Sequence, residues 1–301
     1  MFQIAPQEYW EMRYPTKTGG ANMTKAVNEI IQISRAAGPF DSSRIRGTGV
    51  WLDEGRVVVN TGEGLIVDGR HMSLTSLKTY HVYVQSKHRI PAVHPRPLTA
   101  EEGGVLIQAC ECLNWAEQQA AYLLAGWVFL ARVAGSLPIR PHLWITGGKG
   151  TGKSTLMERL IAPALGHYRG KLYLQGGSTE AGIRQAIKAS SLPIIFDEFE
   201  TTGTSSRDRL NSVIELMRNS WSQTQGVVLK GSANGHSVEY QLSFAALVSS
   251  IRVGLENDAD RSRFSILELQ PHSSVPDSAA QWKRLPVSYT HLRAHETLRY
   301  L

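Results

Sequence analysis

Nine consecutive residues near the middle of the chain have the composition and spacing of a phosphate-binding loop. The residues are Gly147, Gly148, Lys149, Gly150, Thr151, Gly152, Lys153, Ser154 and Thr155. Glycines let backbone N–H groups turn inward around phosphate oxygens, and a following helix adds positive potential. We expect Lys153 to contact the β- and γ-phosphates of ATP and Ser154 to offer its hydroxyl to Mg²⁺. The alternative is a glycine turn with a solvated lysine.

Two adjacent carboxylates follow the apolar run at residues 192–196. At this distance from the loop, Asp197 is expected to hold Mg²⁺ through water. Glu198 is expected to orient or deprotonate an attacking water, which makes the chain an ATP hydrolase rather than a nucleotide-binding protein alone. The alternative is a solvated strand end.

A polar strand end and two arginines come later in the chain. A strand predicted at residues 244–249 ends in Ser249 and Ser250, where a hydroxyl can sense the γ-phosphate or position the water. Arg261 and Arg263 come just before the next predicted strand, where either can reach a nucleotide held by a neighbouring subunit. Surface ion pairs with the two nearby aspartates are the alternative.

Two strand-like runs at residues 227–230 and 237–240 flank a turn that contains Asn-Gly. This pattern predicts a β-hairpin with Lys230 and His236 at its tip. The basic tip is equally compatible with a contact to a nucleic-acid backbone and with a solvated turn.

From residue 141 onward, strands and helices alternate, which predicts a parallel sheet covered on both faces. The strand candidates are residues 142–146, 171–175, 193–197, 244–249 and 264–269. The predicted fold class is therefore α/β, a three-layer P-loop NTPase core with a parallel sheet, preceded by a small α+β accessory domain.

The predicted domains are an accessory domain at residues 1–95, a helical lead-in at 96–138, the core at 139–270 and a tail at 271–301. In the accessory domain, apolar spacing predicts a helix over 24–37, which Thr24 and Gly38 would cap. Glycine-broken β-branched runs then predict a meander at residues 49–52, 56–59, 64–67 and 80–84. The last fifteen residues, 287–301, resemble the translation of a sequencing adapter, so we exclude them from structural reasoning.

Composition excludes several classes of protein. The chain has 301 residues, 42% of them hydrophobic and 19% charged, as expected for a folded globular protein. Its longest apolar stretch, residues 120–131, is shorter than the roughly 20 residues that a bilayer needs, so we expect no membrane association. Cys110 and Cys112 do not have the number or spacing of a disulfide framework or a metal site. A formal net charge of +6 is compatible with a polyanionic partner.

The order of phosphate loop, Asp-Glu strand, hairpin, polar strand end and late arginine resembles AAA+ ATPases. Within them it is similar to the superfamily 3 helicases and primase-helicase ATPases of phages and mobile elements, over residues 139–270. Residues 175–185 and 229–232 also look like phage proteins of this type. One departure is that superfamily 3 proteins usually place Asn where this chain has Ser249 and Ser250.

The resemblance implies an ATP- and Mg²⁺-dependent helicase or translocase for phage or mobile-element replication, acting on single-stranded DNA. It also implies a homo-hexamer with nucleotide between subunits, Lys230 and His236 facing DNA, and Arg261 or Arg263 acting in trans. A primase or other replication protein is a possible partner, and the expected location is the cytoplasm of a bacterial or phage-infected host. The alternatives are an AAA+ loader or remodelling ATPase acting on a protein, and a nucleotide-gated binding module.

Overall fold

The computed structural model divides the chain into two compact units, Met1–Ser42 and Ser43–Leu301. The residues described are 5–38, 40–90, 99–169, 173–175, 178–197, 199, 204–222, 227–231 and 237–271. Within this part of the chain, no helix is both long enough and apolar enough to cross a bilayer.

The helices and strands of the described residues alternate through most of the larger unit. The α-helices are α1 (Gln7–Arg13), α2 (Met23–Ala37), α3 (Ala100–Glu111), α4 (Gln119–Arg132), α5 (Lys153–Leu156), α6 (Ala162–Leu165), α7 (Glu180–Ile187), α8 (Thr204–Ser220) and α9 (Asp258–Arg261). The strands are β1 (Ile45–Arg46), β2 (Gly49–Asp53), β3 (Arg56–Asn60), β4 (Leu65–Val67), β5 (Arg70–Met72), β6 (Val82–Tyr83), β7 (His142–Thr146), β8 (Tyr173–Gln175), β9 (Ile194–Asp197), β10 (Val227–Gly231), β11 (Ser237–Gln241), β12 (Ala246–Ser250) and β13 (Phe264–Glu268).

The smaller unit contains α1 and α2, and its core is formed by the buried residues Trp10 of α1, Tyr14 just after α1, and Ala26 of α2. The predicted helix over 24–37 is confirmed as α2, and it ends at Gly38 as expected. The predicted N-cap is wrong, however. The side chain of Asn22, not Thr24, accepts the N–H of Lys25 at 2.9 Å, so the helix begins one residue earlier.

A five-stranded sheet with the order β13-β7-β12-β9-β8 forms the centre of the larger unit. Every neighbouring pair is parallel. The inner strands β7, β9 and β12 are almost entirely buried, because helices cover both faces of the sheet. Burial on both faces explains why these strands are nearly continuous apolar runs in the sequence. The predicted α/β class with a parallel sheet is confirmed.

Two apolar clusters cover the two faces of this sheet. One face packs against α3, α4 and the helix that follows the glycine loop, through Leu106, Leu124, Val128, Leu156, Leu160, Ile145, Ile195 and Leu247. The other face packs against α7 and α8, through Trp144, Phe196, Val248, Ile183, Ile187, Val213, Ile214 and Met217. The sheet is therefore the middle of three layers.

A smaller antiparallel sheet with the order β2-β3-β4-β5 precedes the central one. One face contributes Val50, Val59 and Ile66 to the cluster that contains Trp144. The other face forms its own cluster around Trp51. The last run of the predicted meander lies elsewhere, since β6 pairs in parallel with β1. The structural division falls at Ser42, whereas a domain boundary near residue 95 stays a proposal.

The predicted hairpin is present as β10 and β11, which pair in antiparallel register from Val227 with Gln241 to Gly231 with Ser237. These two strands form a separate two-stranded sheet. The turn between them, residues 232–236, lies outside the described residues.

Candidate active site

The glycine loop connects the end of β7 with the start of α5, and three of its glycines have positive φ. These are Gly147 (154°), Gly150 (82°) and Gly152 (93°). A Cβ atom at Gly147 would lie 2.5 Å from the carbonyl oxygen of Leu269, so no side chain fits there. At Gly150, in contrast, a Cβ atom would meet nothing within 4 Å. The loop is thus packed against the sheet at its first glycine and open at its middle.

The helix after the loop begins at Lys153, and its N-cap residue, Gly152, provides no side-chain hydrogen bond. The N–H groups of a first helical turn have no acceptor within the helix, and the helix dipole makes this end attractive to anions. A π-helical segment, Met157–Ile161, joins α5 to α6. Pro163 explains it, because a proline has no N–H to donate and its ring would collide with the carbonyl group of Arg159 in an α-helix.

The side chain of Lys153 lies across the loop. Its Nζ donates hydrogen bonds to the carbonyl oxygens of Gly147 at 2.5 Å and Gly148 at 3.0 Å. The hydroxyl of Thr151 donates to the same Gly148 carbonyl at 2.9 Å, which closes the turn. Ser154 and Lys149 are exposed. The ammonium and backbone donors predicted to contact phosphates therefore come from one short segment.

Asp197 is the last residue of β9, and Ser249 is the fourth residue of the neighbouring strand β12. Val248 is paired with Phe196, so Ser249 and Asp197 follow at the same level. On the other side of β12, Ser249 pairs with Ile145, close to the start of the glycine loop. Parallel strands thus bring the loop, the carboxylate and the serine to one edge of the sheet.

The Ser249 side chain is 1% exposed, and its Oγ has no hydrogen-bond partner among the described residues. Alternation along β12 puts it on the face of Leu247, which packs against the helix after the glycine loop. A buried hydroxyl without a hydrogen-bond partner costs about 1–3 kcal/mol. A ligand that hydrogen-bonds to this hydroxyl would remove that cost and would therefore be favoured at this position.

Ser250 has a different environment, although both serines were candidates in the sequence. Its side chain lies on the opposite face of β12, where its Oγ accepts the indole N–H of Trp144 at 2.7 Å. The same hydroxyl donates to the carbonyl oxygen of Arg252 at 2.6 Å. Ser250 is therefore a structural residue that fixes the turn after β12.

The two candidate arginines also differ. Arg263 donates to the carbonyl oxygen of Ala259, and its guanidinium carbon lies 5.4 Å from the centre of the Trp221 ring. Arg261 is exposed, and it makes no ion pair within the part of the chain that the structure describes. Of the two, Arg261 has the side chain that a neighbouring molecule can reach.

The alternative prediction was that these arginines form ion pairs with the nearby aspartates. At Asp260 the structure shows a different partner. This carboxylate is 4% exposed and receives both hydrogen bonds from Arg218 of α8, at 2.7 and 2.9 Å. Such a two-point contact is the geometry in which arginine binds carboxylate most strongly. Sequence reasoning missed Arg218, because it precedes Asp260 by 42 positions and no local pattern connects them.

A buried histidine supports the strand that leads to the loop. The Nε2 of His142 lies 2.9 Å from the carbonyl oxygen of Met217, so this nitrogen carries the hydrogen, and Nδ1 accepts the N–H of Ala246 at 3.1 Å. Burial lowers the pKa of His142 from 6.5 to about 4. The ring is therefore neutral near pH 7 and holds β7, α8 and β12 together.

Three of the predicted site residues remain untested by this geometry. Glu198 and His236 lie outside the described residues, and Lys230 is described only as a backbone position on β10, paired with Val238. Their roles stay predictions.

Comparison with known proteins gives helicases of low similarity. No protein family matches the chain, and no curated protein matches it in sequence. A JCV helicase bound to a substituted N-phenylacetamide has a TM-score of 0.36 and 16% identity, over 67% of this chain and 52% of that chain. The SCCmec type IV Cch active helicase has a TM-score of 0.41 and 12% identity, over 94% of this chain and 49% of that chain. The chain spans about half the length of these solved structures. Similarities of this size do not assign an activity.

Proposed function

We propose that the chain is a P-loop ATPase that hydrolyses ATP with Mg²⁺ and works as a helicase or translocase on DNA. The observation that carries the hydrolase assignment is the meeting of three features at one edge of the parallel sheet. These features are the glycine loop with Lys153, the carboxylate of Asp197 and the buried hydroxyl of Ser249, which has no hydrogen-bond partner in the described part of the chain. Ligands of open α/β sheets bind at this edge, beyond the carboxyl ends of the strands.

The residues present fit a nucleoside triphosphate with a divalent cation. The loop offers backbone donors and an ammonium, and Ser154 and Asp197 offer oxygen ligands of the kind that Mg²⁺ prefers. Ser249 offers a hydroxyl that has no hydrogen-bond partner among the described residues. When bound, Mg²⁺ would neutralise charge on the phosphate oxygens.

In the proposed reaction each residue has a separate task. Lys153 exchanges its bonds to the loop carbonyls for the β- and γ-phosphates. Ser249 binds a γ-phosphate oxygen or the attacking water. Glu198 accepts the proton of that water as it attacks the γ-phosphorus, and ADP leaves.

Action in trans is proposed for Arg261 in a homo-hexamer with nucleotide between subunits. Its exposure favours it over Arg263, whose guanidinium is held by Ala259 and Trp221. Lys230 and His236 of the hairpin are proposed to contact single-stranded DNA. The proposed setting is phage or mobile-element replication in the cytoplasm of a bacterial or infected host, with a primase or another replication protein as partner.

The test of the motor is ATP turnover with and without single-stranded DNA. We expect DNA to stimulate ATP turnover in the wild-type chain. Lys153→Ala should abolish turnover both with and without DNA. Lys78→Ala, at an exposed lysine outside the site, is the matched control and should behave as wild type. Equal turnover in the wild type and Lys153→Ala would refute the hydrolase. Turnover that needs Lys153 but ignores DNA would favour the loader or remodelling ATPase.

Mixing inactive variants tests the action in trans. Lys153→Ala and Arg261→Ala should each be inactive alone. In a random equal mixture, about a quarter of the interfaces combine an intact loop with an intact arginine, so turnover should return to about that fraction. An Arg261→Ala protein that is active by itself, or two inactive variants whose mixture stays inactive, would exclude Arg261 as the trans-acting residue.

A further inference from the structure

The β10–β11 hairpin needs an external support for its orientation. Its strands pair only with each other among the described strands, and an isolated two-stranded hairpin is at best marginally stable in water. Its second strand ends at Gln241, and only residues 242–245 separate that end from β12. Gln241 therefore lies at the base of the hairpin, close in sequence to the central sheet.

Arg46 makes such a contact from β1. Its Nη1 donates to the side-chain oxygen of Gln241 at 2.6 Å, across 195 positions of sequence. The same nitrogen donates to the carbonyl oxygens of Ser43 at 3.0 Å and Ile45 at 3.3 Å, and the guanidinium carbon lies 4.8 Å from the centre of the Trp51 ring. Contacts other than the one to Gln241 therefore also hold the arginine in place.

A second set of contacts orients the guanidinium. Its Nη2 lies 2.9 Å from Nε2 of His81. Because a guanidinium only donates, Nε2 is the acceptor and Nδ1 carries the hydrogen, which it donates to Asp53 at 3.0 Å. Asp53 is 3% exposed and also accepts the hydroxyls of Thr79 and Tyr83, each at 2.8 Å. These bonds fix the imidazole, and the imidazole fixes Arg46.

The backbone beside Arg46 is joined to the central sheet. The N–H of Gly47 donates to the carbonyl oxygen of Ala189 at 2.8 Å, and the N–H of Ser191 donates to that of Thr48 at 3.0 Å. The segment 189–191, which accepts one of these bonds and donates the other, leads directly into β9, which ends at Asp197. Arg46 thus belongs to the same compact unit as the candidate active site.

We propose that Arg46 is a positioning residue that anchors the base of the β10–β11 hairpin, so that the Asp53–His81 pair, acting through Arg46, sets the orientation in which the hairpin meets DNA. The part of this proposal that concerns DNA rests on the proposed function. The anchoring itself does not.

Two variants isolate the anchor in the full-length chain. Gln241→Ala removes only the link to the hairpin, whereas Arg46→Ala removes the link and the imidazole contact. Gln241→Glu replaces the hydrogen bond with an ion pair to Arg46 at the same place, so this variant should preserve the anchor. Arg56→Ala is the matched control, because Arg56 on β3 is the strand partner of Asp53 and, among the described residues, its ion pair is an exposed one with Glu54.

Hydrogen exchange of the hairpin amides measures the anchor directly. We expect Arg46→Ala and Gln241→Ala each to speed exchange in residues 227–231 and 237–241 about tenfold, the effect of losing one charge-assisted hydrogen bond. The double variant should be no faster than the single ones, and β12 should keep its protection. If Arg46→Ala does not fold, Gln241→Ala and Gln241→Glu decide the question. Unchanged hairpin exchange in Gln241→Ala, or additive effects in the double variant, would overturn the anchor.

ATP turnover measures the consequence for DNA. Both single variants should raise the concentration of a single-stranded oligonucleotide that gives half-maximal stimulation by about five- to tenfold, while turnover without DNA changes less than twofold. Gln241→Glu and Arg56→Ala should match the wild type. An equal loss of turnover with and without DNA would overturn the positioning role. If the wild type itself shows no stimulation by DNA, the proposed motor fails, and hydrogen exchange still decides the anchor.

Discussion

The buried imidazole of His142 predicts a specific weakening of the fold in mild acid. Both ring nitrogens are engaged with backbone groups of α8 and β12, and Nδ1 can accept the N–H of Ala246 only while it carries no hydrogen. Protonation therefore turns this acceptor into a second donor that faces a donor. Arg140 and Arg263 add a smaller repulsion of the same sign to the effect of burial.

The magnitude follows from the difference between the folded and unfolded chains. Unfolded, His142 binds a proton below about pH 6.5, whereas burial lowers its folded pKa to about 4. Between these values the unfolded chain binds more protons, so stability falls as the pH falls and is unaffected above pH 7. From pH 7 to pH 5 the loss at this residue is about 2 kcal/mol.

Urea denaturation at pH 7, 6 and 5 can isolate this contribution by comparing the wild type with His142→Gln. Glutamine keeps one acceptor and one donor but does not titrate. The substitution should cost stability at pH 7, and that cost should shrink by about 2 kcal/mol at pH 5, since all other titrating groups are shared. A cost that stays constant over the three pH values would refute the reasoning.

Three further predictions concern the loop, the ion pair and the serine. Gly147→Ala should weaken binding of a fluorescent ATP analogue more than tenfold, because its Cβ collides with a backbone carbonyl, whereas Gly148→Ala, with its nearest contact at 4.0 Å, should bind within about threefold of the wild type. Arg218→Ala should lower the free energy of unfolding in urea by about 2–3 kcal/mol, since it leaves the buried carboxylate of Asp260 unpaired while Arg218 itself is partly exposed. Ser249→Ala should reduce ATP turnover about tenfold or more with a change in unfolding free energy below about 1 kcal/mol, because the hydroxyl makes no hydrogen bond within the described part of the chain. A destabilised but fully active Ser249→Ala protein would contradict its role.

Most elements of the core could be predicted, because each is encoded by a local pattern. The apolar runs at residues 142–146, 193–197 and 264–269 are strands within one or two residues of the predicted limits. The cap of α2 was mispredicted because Asn22 and Thr24 are both good capping residues and lie two positions apart. β5 was missed because Arg70–Met72 has no apolar alternation, and its pairing with β4 comes from the tight turn between them.

The segments that form the candidate site could be predicted from the sequence, but the choice between neighbouring candidate residues could not. Spacing alone identifies the glycine loop, yet Ser249 and Ser250 are chemically the same. Only the pleat of β12 gives Ser250 a partner in Trp144 and leaves Ser249 with no partner among the residues that the structure describes. The same holds for Arg261 and Arg263, because the fold places the guanidinium of Arg263 against the ring of Trp221.

Long-range contacts mark the limit of sequence reasoning in this molecule. Arg46 lies in a polar stretch that any surface could contain, and nothing near it in sequence points to Gln241. Only the fold brings the two together, because the small sheet packs on the same cluster as the central sheet, whose strand β12 follows the hairpin.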